Sequence, residues 1–182
     1  MADPVGAPRA RGRTAVPGER VLILVTVGGQ VAFDRLVKTV DAWAEEAGRE
    51  DLFFQILDGS YTPTHGTWQR KVDPIEFEAR LAEADAIVSH AGMGTTLRAL
   101  ALSKPLLVMP RRAALGEQRN DHQLATARRL AESGRAHVAM DECELAERLR
   151  DIDSLEPLGT IGARASESLL RAIREFANGG AA

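Results

Sequence analysis

The sequence predicts an α/β domain built on a mainly parallel sheet of six strands. Two observations carry that expectation. Short runs rich in Val, Ile and Leu alternate with longer stretches whose apolar residues recur at helical spacing, the pattern of strands joined by crossover helices. The first run, Val21–Val27 (VLILVTV), is apolar on both faces, as a strand covered by helices on both sides must be.

The elements follow in order. Gly28, Gly29 and Gln30 end the first strand, and a helix is expected from about Val31 to Ala47. On it Phe33, Leu36, Val37, Val40, Trp43, Ala44 and Ala47 form one stripe, and Gly48 stops it in the usual C-terminal role. Leu52–Leu57 is the second strand. Asp58–Gly66 is a polar loop, and Trp68–Val72 a short third strand. Asp73 before Pro74 reads as an N-cap followed by proline in the first helical position, opening a helix over Pro74–Ala84. Asp85–Ser89 is the fourth strand, Met93–Leu102 a helix and Pro105–Met109 the fifth strand. Asn120–Glu132 is a helix ended by Gly134, and Arg135–Met140 the sixth strand. Helices over Asp141–Asp151 and about Ala163–Ala177 complete the expected elements.

The bulk properties narrow the function classes. At 182 residues the chain suits one domain, and that length buries roughly 70% of its unfolded surface, enough for a core without staples. A net charge of −3 gives no overall basic field, so no nucleic-acid partner is expected. The single cysteine, Cys143, excludes an internal disulfide framework and fits a cytosolic setting. No apolar run approaches the roughly 20 residues that span a bilayer. Residues 1–20 hold Pro, Gly, Arg and Ala without the apolar core of a signal peptide, and are expected to be a disordered leader. The organisation read from the chain is this leader, a Rossmann-like ligand-binding domain over 21–152, and a C-terminal helical segment over 153–182. Neither metal nor cofactor is expected.

Right-handed crossovers give the spatial order 3-2-1-4-5-6, a Rossmann-like sheet. Strands one and four then meet at the point where the order reverses. Three loops converge there: Gly28–Gln30, His90–Thr96 and Pro110–Gln123. Glycines let backbone N–H groups approach a ligand closely, and helix N-termini favour anions. Two glycine turns feeding two helices suit a diphosphate, although each alone also reads as a plain strand-to-helix turn.

Neither turn is a P-loop, and His90-Ala-Gly92-Met-Gly94-Thr-Thr96 stops one glycine short of the dinucleotide fingerprint. Asp58 lies further beyond Gly28 than a ribose-binding acid usually does. A dinucleotide is therefore disfavoured. His90 is either a crevice ligand or a structural histidine. Thr95 and Thr96 either donate to phosphate or cap their helix. Arg111 and Arg112 either neutralise phosphate, serve an interface or face water. Glu117, Asn120, Asp121, His122 and Gln123 offer the paired donors and acceptors that sugar hydroxyls need, and one of them is expected to cap the helix.

The stretch Ser89–Arg112 (SHAGMGTTLRALALSKPLLVMPRR), the later NDHQLATA and the glycine loop within Leu22–Val37 together resemble the C-terminal, donor-binding domain of glycosyltransferase family 28. The resemblance runs from about Val21 to Leu149. Within the family it is similar to the small catalytic subunits of two-part transferases. One kind is the PssE type of bacterial exopolysaccharide synthesis. The other is the eukaryotic subunit that adds the second GlcNAc to the lipid-linked N-glycan precursor.

The resemblance implies half of a GT-B fold and the donor half of a hexosyltransferase. It implies a UDP-sugar donor, a membrane-anchored subunit that binds the acceptor, and a polyprenyl-diphosphate-linked sugar as acceptor. The chain would then be cytoplasmic, held at the inner face of the plasma membrane through its partner. Gly28, Gly29 and Gln30 would lie against the diphosphate. His90, Gly92, Gly94 and Thr95 would line the nucleotide and phosphates. Asn120, Asp121 and Gln123 would meet the sugar hydroxyls. Many members place a Glu on the helix after the second glycine turn, where it accepts hydrogen bonds from ribose. This chain has Arg98 there, and arginine cannot accept. The ribose must be held differently, or the nucleotide must sit differently.

No pair of carboxylates makes an evident acid/base site, so the general base is expected from the partner chain. Stabilising the charge of the departing UDP is the role left to this half. The C-terminal stripe Leu169, Ile173 and Phe176 either packs on this domain or docks the partner. The rival reading is a nucleotide or UDP-sugar-binding regulatory module without catalysis. A sugar-nucleotide epimerase would need a second domain and further carboxylates.

Overall fold

A computed structural model describes residues 22–160. Six strands form one parallel sheet in the order β3-β2-β1-β4-β5-β6, the order the alternating pattern predicts. Here β1 is Ile23–Thr26, β2 Leu52–Gln55, β3 Thr67–Gln69, β4 Ala86–His90, β5 Leu106–Met109 and β6 His137–Val138. The helices are α1 Asp34–Ala47, α2 Pro74–Glu83, α3 Met93–Ala101, α4 His122–Glu132 and α5 Glu142–Leu149.

Strand β1 is the axis of the sheet, with Thr26 opposite Gln55 on β2 and Ser89 on β4. Its side chains alternate between two cores, as the strand period of two requires. Ile23 and Val25 join Leu36, Val37 and Val40 of α1 and Leu145 and Leu149 of α5. Leu24 joins Leu81 of α2, Ala99 of α3 and Ala127 of α4 on the other face. Burial of Ile23–Val27 on both sides is why the run carries no solvent-facing alternation there.

The helix ends show their causes. Asp73 accepts a 2.8 Å hydrogen bond from the Ile75 N–H, with Pro74 at the first helical position. Asp141 caps α5 by accepting from the Glu144 N–H at 3.0 Å. Gly48 closes α1 at φ 60°, a left-handed conformation that costs glycine nothing.

Several boundaries differ from those expected. Helix α1 starts at Asp34, because the Val31 carbonyl accepts from the Arg111 guanidinium and Phe33 is non-helical at φ −144°, ψ 67°. Strand β3 begins at Thr67 and lies at an exposed sheet edge. Strand β6 keeps only two residues, paired to Leu107 and Val108. The start expected for β1 at Val21, the leader over 1–20 and the helix expected over 163–177 lie outside the described residues. Within the C-terminal segment, Ile152–Ser154 forms one turn of 3-10 helix.

Candidate nucleotide-sugar site at the sheet switch point

The carboxyl ends of β1, β2 and β4 open into a cavity of about 550 Å³, placed where the strand order reverses. Thr26, Gln55 and His90 form its floor. The turn Gly28, Gly29 and Gln30 forms one wall, and Gly92, Gly94 and Thr95 at the start of α3 form another. Pro74, Phe77 and Glu78 of α2 close one side, with Val72 before them and Arg98 of α3 beside them. Arg111, Gln118, His122 and Gln123 close the other. Eight of the ten residues expected to bind the donor therefore meet in one cavity.

Asn120 and Asp121, the other two, do not line it. Asp121 accepts from the Ala113 N–H at 2.8 Å, and Asn120 accepts from the N–H and ring of His122. Both side chains shape the loop from within. His122 and Gln123 take the places at the cavity wall. Among the three arginines, Arg98 and Arg111 line the cavity. Arg112 instead donates to the Met140 carbonyl at 2.8 Å.

The two glycine turns have different physical roles at each position. A Cβ on Gly28 would come within 2.9 Å of His90 Nε2, and one on Gly92 within 2.7 Å of His90 Cε1. These glycines make room for the imidazole, and Gly28 also sits at φ 80°, where a side chain is strained. A Cβ on Gly29 or Gly94 would meet nothing within 4 Å. Those two glycines leave open the space that a ligand would fill.

The floor orients the first turn. Thr26 donates its hydroxyl to Gln55 Oε1 at 2.6 Å and accepts from the Gly28 N–H at 3.1 Å. The Gln55 amide donates to the Gly28 carbonyl at 2.9 Å. Both ends of Gly28 are thus fixed by buried side chains of neighbouring strands. No motif marks Gln55 or Thr26. The available signal was a polar residue near the carboxyl end of each apolar run.

The cavity favours an anion. The first N–H groups of a helix have no intrahelical acceptor, and no side chain caps α3. Thr95 is only 5% exposed, and its hydroxyl makes no hydrogen bond among the described residues. Arg111, 3% exposed, donates through Nη2 to the Val27 carbonyl at 2.7 Å and to the Val31 carbonyl. Its buried Nε has no hydrogen-bond partner among the described residues. Burial lowers its pKa to about 10, partly offset by the Glu117 carboxylate, so it stays charged at neutral pH. A buried cation beside open N–H groups is well suited to a phosphate.

The loop carrying Arg111 is clamped from outside the cavity. The Glu117 carboxylate takes Arg35 Nε at 2.7 Å and Nη2 at 2.8 Å, and accepts from the Arg112 N–H at 2.9 Å. Arg35 also donates to the Pro110 carbonyl and to Glu142, each at 3.0 Å. Glu117 is thus part of the scaffold. Gln123 accepts from the Arg111 N–H at 3.2 Å and is 3% exposed.

His90 is neutral at physiological pH. Burial, then the nearby Arg111 and His122, push its imidazole down to about 4 from 6.5. Between those values the unfolded chain binds a proton that the folded chain refuses. Stability is therefore full above pH 6.5 and falls as pH drops towards 4. The loss is on the order of 3 kcal/mol. Melting temperature against pH should decline across this window in the native protein and more gently in His90→Gln.

Comparison with known proteins gives a consistent family. The profile of the glycosyltransferase family 28 C-terminal domain matches residues 22–161. The human UDP-N-acetylglucosamine transferase subunit ALG13 is 33% identical over 122 residues, covering 62% of this chain and 10% of that protein. Among solved structures, MurG of Acinetobacter baumannii superposes with a TM-score of 0.56 at 20% identity, covering 76% of this chain and 44% of MurG. The solution structure of ALG13 superposes with a TM-score of 0.53 at 20% identity, covering 85% and 95% of the two chains. The kitacinnamycin glycotransferase gives 0.55 at 22% identity, covering 82% and 39%. These structures share the fold, and in MurG and the kitacinnamycin enzyme this chain corresponds to less than half of the protein.

Proposed function

Since the chain belongs to the glycosyltransferase family 28 C-terminal domain family, we propose that it is the donor-binding subunit of a two-part, UDP-sugar-dependent glycosyltransferase. The observation that carries this reading is the cavity at the switch point. There the uncapped start of α3, the open sides of Gly29 and Gly94 and the buried Arg111 guanidinium face one space. The diphosphate of a UDP-sugar sits in that space. Gln118, His122 and Gln123 lie on the side reached by the sugar.

In this reading the protein binds the donor and stabilises the charge that develops on the departing UDP. The acceptor is a polyprenyl-diphosphate-linked sugar whose hydroxyl, losing its proton to the general base, attacks the anomeric carbon of the donor sugar with inversion as the bond to UDP breaks, and the product serves polysaccharide synthesis. A membrane-anchored subunit supplies the acceptor site and the general base, and holds this chain at the cytoplasmic face. Two observations support a second subunit. The one carboxylate lining the cavity among the described residues, Glu78, is already paired with Arg98. No helix among the described residues is long and apolar enough to cross a membrane. Residues 153–182 are the candidate docking segment.

Calorimetry on the full chain with UDP and several UDP-sugars tests the donor site. Binding with discrimination among sugars is expected, with transfer to a lipid-linked acceptor only when the partner is added. Robust transfer by the chain alone would overturn the two-part reading. UDP binding without sugar discrimination, and no transfer even with the partner, would favour a non-catalytic regulatory module.

A further inference from the structure

We infer that Glu78 is the hydrogen-bond acceptor for the vicinal diol of the donor's ribose, held in place by Arg98. This rests on the nucleotide-sugar reading of the cavity. Glu78 and Arg98 face each other across the rim from different helices, with Arg98 Nε to Glu78 Oε1 at 2.8 Å. Both side chains are about half exposed, and an ion pair so placed adds little to stability. Its position therefore calls for another account.

The cavity differs in character across this pair. Arg98 follows Gly94 by four residues, one helical turn along the same face of α3, so it adjoins the anion cradle. Glu78 follows Pro74 by the same spacing on α2. It therefore adjoins the apolar surface of Val72, Pro74 and Phe77. The Arg98 guanidinium also lies 6.0 Å from the Phe77 ring centre. An apolar wall on one side suits the flat face of a nucleobase, and the cradle on the other suits phosphates. In a nucleoside diphosphate the ribose joins those two parts.

A carboxylate can only accept hydrogen bonds and is repelled by phosphate. Between base and phosphates it therefore faces hydroxyl donors. Arg98 engages one oxygen through Nε and leaves lone pairs on both for two adjacent O–H groups. Its positive charge also offsets the repulsion between Glu78 and the diphosphate. Glu78 is thus a specificity residue that selects ribonucleotides over deoxyribonucleotides, and Arg98 is its positioning residue.

Titration calorimetry on the full chain with UDP, 2′-deoxy-UDP and inorganic pyrophosphate tests this. The native protein should prefer UDP over 2′-deoxy-UDP roughly tenfold or more, the size of a lost hydrogen bond to a charged group. In Glu78→Ala that preference should shrink to about twofold or less, with Glu78→Gln intermediate. Pyrophosphate should bind each variant within about threefold of the native affinity, because it lacks the diol and confirms an intact cradle. A native protein that binds both nucleotides equally, or a Glu78→Ala variant that keeps the preference, overturns the assignment while leaving the nucleotide-sugar reading intact. A native protein that binds neither UDP nor pyrophosphate overturns both.

Discussion

Gly94→Val is expected to leave the protein folded and to remove its affinity for UDP and UDP-sugars. Gly94 lies in the first turn of α3, and a Cβ there meets no atom within 4 Å. Valine also has a better helix propensity than glycine, so the melting temperature should hold or rise slightly. The branched side chain would fill the space that a phosphate must enter to reach the uncapped N–H groups. Losing two charge-assisted hydrogen bonds costs about 3 kcal/mol or more, roughly a 100-fold loss of affinity. Gly92→Ala, two residues earlier, should behave differently. Its Cβ would press on the His90 ring, so melting temperature should drop together with binding. Calorimetry with UDP alongside thermal melting separates the two. Native affinity in Gly94→Val would show that no phosphate lies at this turn.

Arg111→Met should damage both stability and anion binding. The guanidinium is the buried donor to the Val27 and Val31 carbonyls, and it lies 5.0 Å from the Phe33 ring centre. Methionine fills part of the volume but leaves both carbonyls without that donor, at about 2–4 kcal/mol. For a chain of this size that lowers the melting temperature by about 5–15 °C. The lost charge should weaken pyrophosphate binding by roughly ten-fold or more. Arg111→Lys keeps the charge but cannot reproduce the fork. It should recover part of the pyrophosphate affinity and less of the stability. Melting curves and pyrophosphate titrations check both halves. If Arg111→Met binds pyrophosphate as the native chain does, the buried cation is purely structural.

These two residues illustrate how differently the site could be read from sequence. Gly94 stands in a recognisable turn after an apolar strand, and its openness to a ligand follows from the strand–turn–helix pattern alone. Arg111 and Arg112 are adjacent and chemically identical in the sequence. One is buried at the cavity and the other turns to the Met140 carbonyl, because consecutive residues on an extended segment point to opposite sides. Neighbouring polar residues were divided in the same way. Asn120 and Asp121 hold their own loop, whereas Gln123 reaches the cavity.

Gly28 and Gly92 show a subtler difference. Both read as glycines kept free for phosphate, and both line the cavity. The atom they make room for is first of all the His90 ring. For Gly28 that ring comes from a different strand, so no local pattern could reveal it, whereas for Gly92 it stands two residues earlier in the same turn. Gln55 and Thr26 carry the same lesson, since they meet only because β2 pairs with β1 in this register. Arg98 drew attention in the sequence as a departure from the family. Its ion pair with Glu78 needed α2 and α3 to be set side by side.

The strands, their order and the convergence of three loops were determined by the sequence itself. Periodicity, caps and glycine turns act over a few residues, and crossover handedness then leaves little freedom in how the strands assemble. Tertiary structure alone decided which polar side chains turn inward and what each one meets. A buried polar group must find its partner wherever the packed chain brings one. For Arg111 those partners, the Val27 and Val31 carbonyls, lie on another segment of the chain, and the half-exposed Glu78 likewise meets Arg98 from another helix.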